Sequence, residues 1–231
     1  MPPTNKTLSP KLLTMKISSL KEGETMELLE ELLENGTHPL ELLEAVNDAL
    51  LEVGALFSAG TYYMTGLVLA GYIAKKAADT IIECLPKEER ASEGLVILGT
   101  MQGDFHDLGK NMVSWQLKAK GFEVIDLGVD VPARIFLKEI LQKEPDIVGI
   151  SLLHFESILP LRKLLRLVKS TFSDSPSPPI FVGCGFLAPD KPMSPLGEKE
   201  RGYLKVDYVV HTAKETVELC QRLMEQKRQK S

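Results

Sequence analysis

From Gly94 onward, short apolar runs alternate with segments of helical periodicity, and this alternation restricts the fold more than any other feature of the chain. Strands are expected near 95–100, 122–127, 146–152, 179–183 and 206–210, with helices near 107–120, 132–143, 156–171 and 213–227. Strand–helix alternation of this kind builds α/β folds, because each crossover helix returns the chain to a parallel neighbour. The expected product is a doubly wound, Rossmann-type five-stranded parallel sheet with flavodoxin-like strand order. Leu95-Val96-Ile97-Leu98 is apolar without alternation, as a strand buried on both faces requires.

The loop after that first strand, Gly103-Asp104-Phe105-His106-Asp107-Leu108-Gly109-Lys110-Asn111, lies where open α/β sheets bind their ligands. Asp104 is two positions from His106 and reaches one ring nitrogen, which leaves the other as a neutral metal donor. A simpler reading makes Asp104 and Asp107 caps of the following helix and His106 an exposed loop residue. Small or polar residues end two later strands: Ser151-Leu152-Leu153 after the third, and Gly183-Cys184-Gly185 after the fourth. Both are expected to open on the same edge as His106.

The residues before Gly94 contain helical segments with no strand between them, near Lys11–Leu20, Leu28–Leu33, Pro39–Leu56 and Thr65–Ala78. A four-helix bundle is the natural product. Breakers are expected at Glu22-Gly23-Glu24 and at Asn35-Gly36-Thr37-His38-Pro39, and the charged run Pro86-Lys87-Glu88-Glu89-Arg90 is expected to join the bundle to the sheet. The domains are therefore residues 1–89 and 90–231.

The net charge of −5, with no basic block before the last helix, argues against nucleic acid, since phosphate binding needs clustered Lys and Arg. No apolar run is long enough to span a bilayer, and Met1-Pro2-Pro3-Thr4 has no signal-peptide pattern, so a cytoplasmic protein is expected. Cys84, Cys184 and Cys220 lie far apart and form neither a disulfide framework nor a metal motif; buried free thiols are expected. His38, His211 and His154 are read as structural, His154 as an ordinary strand-end histidine.

Asp104-x-His106-x-x-Gly109, Ser151-x-Leu153 and the glycines near 183–185, in this order, resemble the cobalamin-binding signature of methionine synthase and of corrinoid proteins of methyltransferase systems, over roughly residues 94–220. The resemblance implies that His106 is the lower-face ligand of cobalt, with Asp104 behind it and the hydroxyl of Ser157 completing a ligand triad. Gly103, Asp107, Leu108 and Gly109 would complete the histidine loop. Ser151, Leu153, Gly183, Cys184 and Gly185 would line the tail of the cofactor. Helical bundles precede this domain in the same family and cap the upper face of the corrin, which makes Tyr63, Met64 and Leu67 the cap candidates. The chain departs from the family at Gly183-Cys184, where two adjacent glycines are usual, and at Thr65-Gly66, where many relatives have Pro-Glu.

The function implied is that of a corrinoid methyl carrier, not catalytic alone, in a cobalamin-dependent methyltransferase (demethylase) system of one-carbon metabolism. Such a protein accepts a methyl group on Co(I) from a substrate:corrinoid methyltransferase. It donates the group to a methylcorrinoid:tetrahydrofolate or thiol methyltransferase, and a reductive activase rescues oxidised cobalt. Donors in such systems include methylamines, methanol, methoxylated aromatics and betaines. The alternative is a cobalamin-binding sensor, although the lone tryptophan, Trp115, lies outside the cap. A mutase-type subunit would lack the helical bundle, and a flavodoxin-like module would ignore the corrin altogether.

Overall fold

The computed structural model describes residues 8–85, 92–183 and 206–230, and the chain divides into two compact units, Met1–Lys87 and Glu88–Ser231.

The first unit holds four helices: α1 (Pro10–Ser18), α2 (Glu22–Glu34), α3 (Pro39–Ser58) and α4 (Met64–Glu83). Leu13 and Ile17 of α1, Leu29 of α2, Val46 and Val53 of α3 and Ile73 and Ile81 of α4 are fully buried, each worth roughly 1.5–3 kcal/mol of transfer free energy. Ala70, Ala74, Ala77 and Ala78 form the rest of the buried stripe of α4, small enough to let a neighbouring helix approach closely. Glu22-Gly23-Glu24 does not break the chain as expected; it is the first turn of α2. The break lies just before it, where Leu20 adopts φ 59° and Lys21 N–H donates to the Lys16 carbonyl. This is a Schellman ending with leucine in the left-handed position that glycine normally marks, so no local signal announced it. The expected break at Asn35-Gly36 has the usual form, with Gly36 at φ 77° and Thr37 N–H donating to the Leu32 carbonyl. His38 caps α3, its Nδ1 accepting from Leu40 N–H at 3.2 Å, ahead of Pro39.

The second unit is a parallel sheet of β1 (Leu95–Thr100), β2 (Glu123–Asp126), β3 (Ile147–Ser151), β4 (Ile180–Gly183) and β5 (Tyr208–Val210), in the order β2-β1-β3-β4-β5. The helices are α5 (Leu108–Ala119), α6 (Ala133–Lys143), α7 (Ile158–Thr171) and α8 (Ala213–Lys230). Side chains of β1 alternate between two buried cores. Val96 and Leu98 pack with Leu117 of α5 and Val217 of α8, and Ile97 packs with Phe136 of α6 and Leu161 of α7. Two strand glycines serve this packing: a Cβ on Gly99 would lie 2.6 Å from the Phe136 ring, and one on Gly149 only 2.2 Å from that of Phe181.

One further expectation is corrected. Cys84 is exposed, whereas Cys220 is buried and its thiol is pushed up to about 12 by desolvation. At the basic end of α8, Lys227 pairs with Asp146 and Arg228 with Glu93, which ties that helix to the amino-terminal edge of the sheet. No helix among the described residues is long and apolar enough to cross a membrane.

Candidate functional site

Strand order reverses between β1 and β3, so the connections leaving these strands run to opposite sides and open a crevice at their carboxyl ends. The ends are level there: Thr100 pairs with Ser151 and Ser151 with Gly183. The loop carrying His106 crosses this edge between β1 and α5.

Asp104 is the hub. It has no exposed surface, and both carboxylate oxygens are used. Oδ1 lies 2.7 Å from His106 Nδ1 and accepts His106 N–H at 3.0 Å. Oδ2 accepts the backbone N–H groups of Leu153 and His154, the latter at 3.1 Å, from the segment that leaves β3. Burial pushes the Asp104 carboxyl up, but the hydrogen bonds from His106, Leu153 and His154 outweigh it and hold the group below the usual carboxylate range. A stable carboxylate keeps the proton of the His106 ring on Nδ1 and leaves Nε2 as a lone-pair donor. The His106 side chain is 54% exposed. Asp104 thus does not cap α5. Asp107 occupies that N-cap position, yet its side chain accepts from Asn111 Nδ2 at 3.0 Å and makes no cap bond.

Ser157 ends the 3-10 turn Phe155–Ser157 that leads into α7, and it is fully buried. Its Oγ has no hydrogen-bond partner, an unusual state for a buried hydroxyl. A Cβ on Gly103, whose φ is 87°, would come within 3.3 Å of that Oγ. Gly183 and Gly109 are less tightly packed: among the described residues a Cβ on Gly183, the last residue of β4, would meet Val210 at 3.9 Å and the Ile150 carbonyl at 4.0 Å, and one on Gly109, in the first turn of α5, nothing within 4 Å. Ser151 is half-buried, Leu108 partly so, and Leu153 is 46% exposed. Cys184 and Gly185 lie outside the described residues. On the helical unit, Tyr63 and Met64 are 80% and 60% exposed, so they are not bundle core, while Leu67 is half-buried.

Three contributors escaped the sequence reading. Thr100 Oγ1 donates to the His106 carbonyl at 2.9 Å. Asp130, at φ 54°, accepts Gly103 N–H on Oδ1 at 2.8 Å and donates its own N–H to the Asp104 carbonyl at 3.0 Å, bracing the loop from the β2–α6 side. His154 is not merely a strand-end histidine. Its ring centroid lies 5.2 Å from that of His106, and nitrogen or oxygen atoms of Asp104, His106 and His154 come within 4.8 Å of one another. The Gly128 turn beside Asp130 is the nearest local signal for a brace; the His154 contact had none.

A family model described as "B12 binding domain" matches residues 94–221. The chain is 32% identical over 132 residues to dimethylamine corrinoid protein 3 of Methanosarcina acetivorans, and it spans 62% of that relative's length and 57% of its own. Among solved structures it is similar to the monomethylamine corrinoid protein of Methanosarcina barkeri, with a TM-score of 0.72 at 22% identity over 95% of this chain and 100% of that one. It also resembles a cobalamin-binding protein from Desulfitobacterium hafniense DCB-2, with a TM-score of 0.57 at 26% identity over 94% of this chain and 99% of that one.

Proposed function

We propose, because this chain belongs to the B12 binding domain family through residues 94–221, that it is a corrinoid methyl carrier of a multi-component methyltransferase system. The observation that carries this reading is the Asp104–His106 pair at the switch point, with Nδ1 engaged by a buried carboxylate and the ring otherwise open. The residues fit the cofactor: the buried Ser157 Oγ, beside Gly103 of the histidine loop, has no hydrogen-bond partner among the described residues. Corrinoid names among the relatives support the same reading.

When bound, the corrinoid supplies the reactive cobalt to which a methyl group attaches. His106 would hold that metal through Nε2, with Asp104 Oδ1 keeping the proton on Nδ1. Ser157 Oγ would supply or accept a hydrogen bond beside His106, and Ser151, Leu153 and Gly183 would line the nucleotide tail. Tyr63 and Met64, exposed on the helical unit, and Leu67 would be available to contact the cofactor.

In this role the protein receives a methyl group from a substrate:corrinoid methyltransferase and presents it to a second methyltransferase whose acceptor is tetrahydrofolate or a thiol. A reductive activase would restore the carrier after oxidation. The partner methyltransferase selects the donor, and the carrier is expected in the cytoplasm.

The test is to mix the purified protein with hydroxocobalamin, remove free cofactor by desalting, and record the visible spectrum. Retained corrinoid with a histidine-coordinated spectrum, followed by methyl uptake from a methylated donor in the presence of its methyltransferase, is expected. A colourless protein after desalting would overturn the reading.

A further inference from the structure

The hydrogen bond between His106 Nδ1 and Asp104 Oδ1 restrains one ring atom, and with the backbone held at its N–H and carbonyl the plane of the imidazole can still tilt through coupled changes in its two side-chain torsions. The His106 side chain is 54% exposed, so little of the ring is enclosed by packing. A second restraint comes from His154. Its ring lies 5.2 Å from that of His106, centroid to centroid, with the planes 31° apart, within the range in which aromatic rings attract one another. His154 is itself anchored to the same carboxylate, its backbone N–H donating to Asp104 Oδ2 at 3.1 Å. The backbone of each histidine is thus tied to one buried carboxylate, which brings the two side chains to the same place.

We infer that His154 is a positioning residue for His106: its ring packs on the His106 imidazole, sets the plane of that ring, and keeps Nε2 aimed into the crevice above the sheet edge. This inference rests on the reading of His106 as the cobalt ligand. A ligand that must leave and return to a metal gains from such a support, since it comes back to one orientation instead of searching several. The contact needs a flat ring and no nitrogen, so phenylalanine serves in place of His154, and alanine does not.

The experiment compares the full-length parent with His154→Ala and His154→Phe, after far-UV circular dichroism has established equal folding. Imidazole 15N–1H spectra of the cofactor-free proteins form the first readout. His106 should show one sharp Nδ1-protonated tautomer in the parent and in His154→Phe, and a broadened, averaged signal in His154→Ala. Hydroxocobalamin titration, followed by the histidine-coordinated visible band, is the second. Binding of that form should weaken roughly tenfold in His154→Ala, the lower end for groups that orient a metal ligand, and recover in His154→Phe. Identity of His154→Ala with the parent in both readouts overturns the inference, and so does a His154→Phe variant as impaired as His154→Ala. Should the parent itself take up no hydroxocobalamin, the carrier reading fails, and the cofactor-free spectra alone decide whether His154 orders His106.

Discussion

The hydroxyl of Thr100 donates to the carbonyl of His106 across 2.9 Å, so the last residue of β1 holds the backbone of the histidine that the following loop presents. Thr100 is fully buried, and its N–H and the N–H of Val131 tie the same strand end to the β2–α6 connection. Thr100→Val keeps the shape and removes the donor. The expected cost is about 1 kcal/mol, measured by urea unfolding, together with faster amide exchange in the loop.

His106→Ala is expected to leave the fold intact, since the side chain is half exposed. Hydroxocobalamin retained by this variant should lose the histidine-coordinated spectrum, and methyl transfer should slow more than retention falls. A variant with the parent's spectrum and rate would remove His106 from the metal.

Asp104→Ala strands the N–H groups of His106, Leu153 and His154 at once. With roughly 1–3 kcal/mol for each donor left unpaired, a loss of about 3 kcal/mol or more is expected in equilibrium unfolding. Asp104→Asn retains one acceptor oxygen and should lose less, while weakening the orientation of His106.

The glycines separate packing from ligand space. Gly149→Ala places a Cβ 2.2 Å from the Phe181 ring and should cost about 1–3 kcal/mol of stability. Among the described residues Gly183→Ala makes only ordinary contacts, with Val210 at 3.9 Å and the Ile150 carbonyl at 4.0 Å, so its stability should stay within about 0.5 kcal/mol of the parent. Its hydroxocobalamin retention after desalting should nevertheless fall. Thermal melts and the retained absorbance report the two effects separately.

The helical unit carries a pH-dependent tie between α1 and α2. Hydrogen bonds from Lys16 and Lys21 hold the Glu24 carboxyl down to about 2 from its ordinary value of 4.5. A depressed folded-state value means that this contribution is fully present above pH 4.5 and is lost as the pH falls toward 2. The difference in melting temperature between the parent and Glu24→Gln should therefore shrink across that window, and should be smaller in high salt because the pair is exposed.

Element order and strand boundaries were legible in the sequence, because they follow from local periodicity: the unbroken apolar run of β1, the helical stripes, and turn glycines such as Gly36. Asp104 and His106 were legible for the same reason, lying two residues apart on one loop. The α1–α2 junction was not, since Leu20 takes a backbone conformation normally signalled by glycine. Tertiary structure alone decided what surrounds the pair. It brings Leu153 and His154 onto the second oxygen of Asp104 across some fifty positions of chain, and sets Asp130 against Gly103. It also lays the His154 ring beside that of His106 and leaves Ser157 Oγ without a partner. Periodicity reports which face of an element a residue occupies. Which residues meet at the end of a sheet depends on strand order and register, and those are set by the packing of both faces at once.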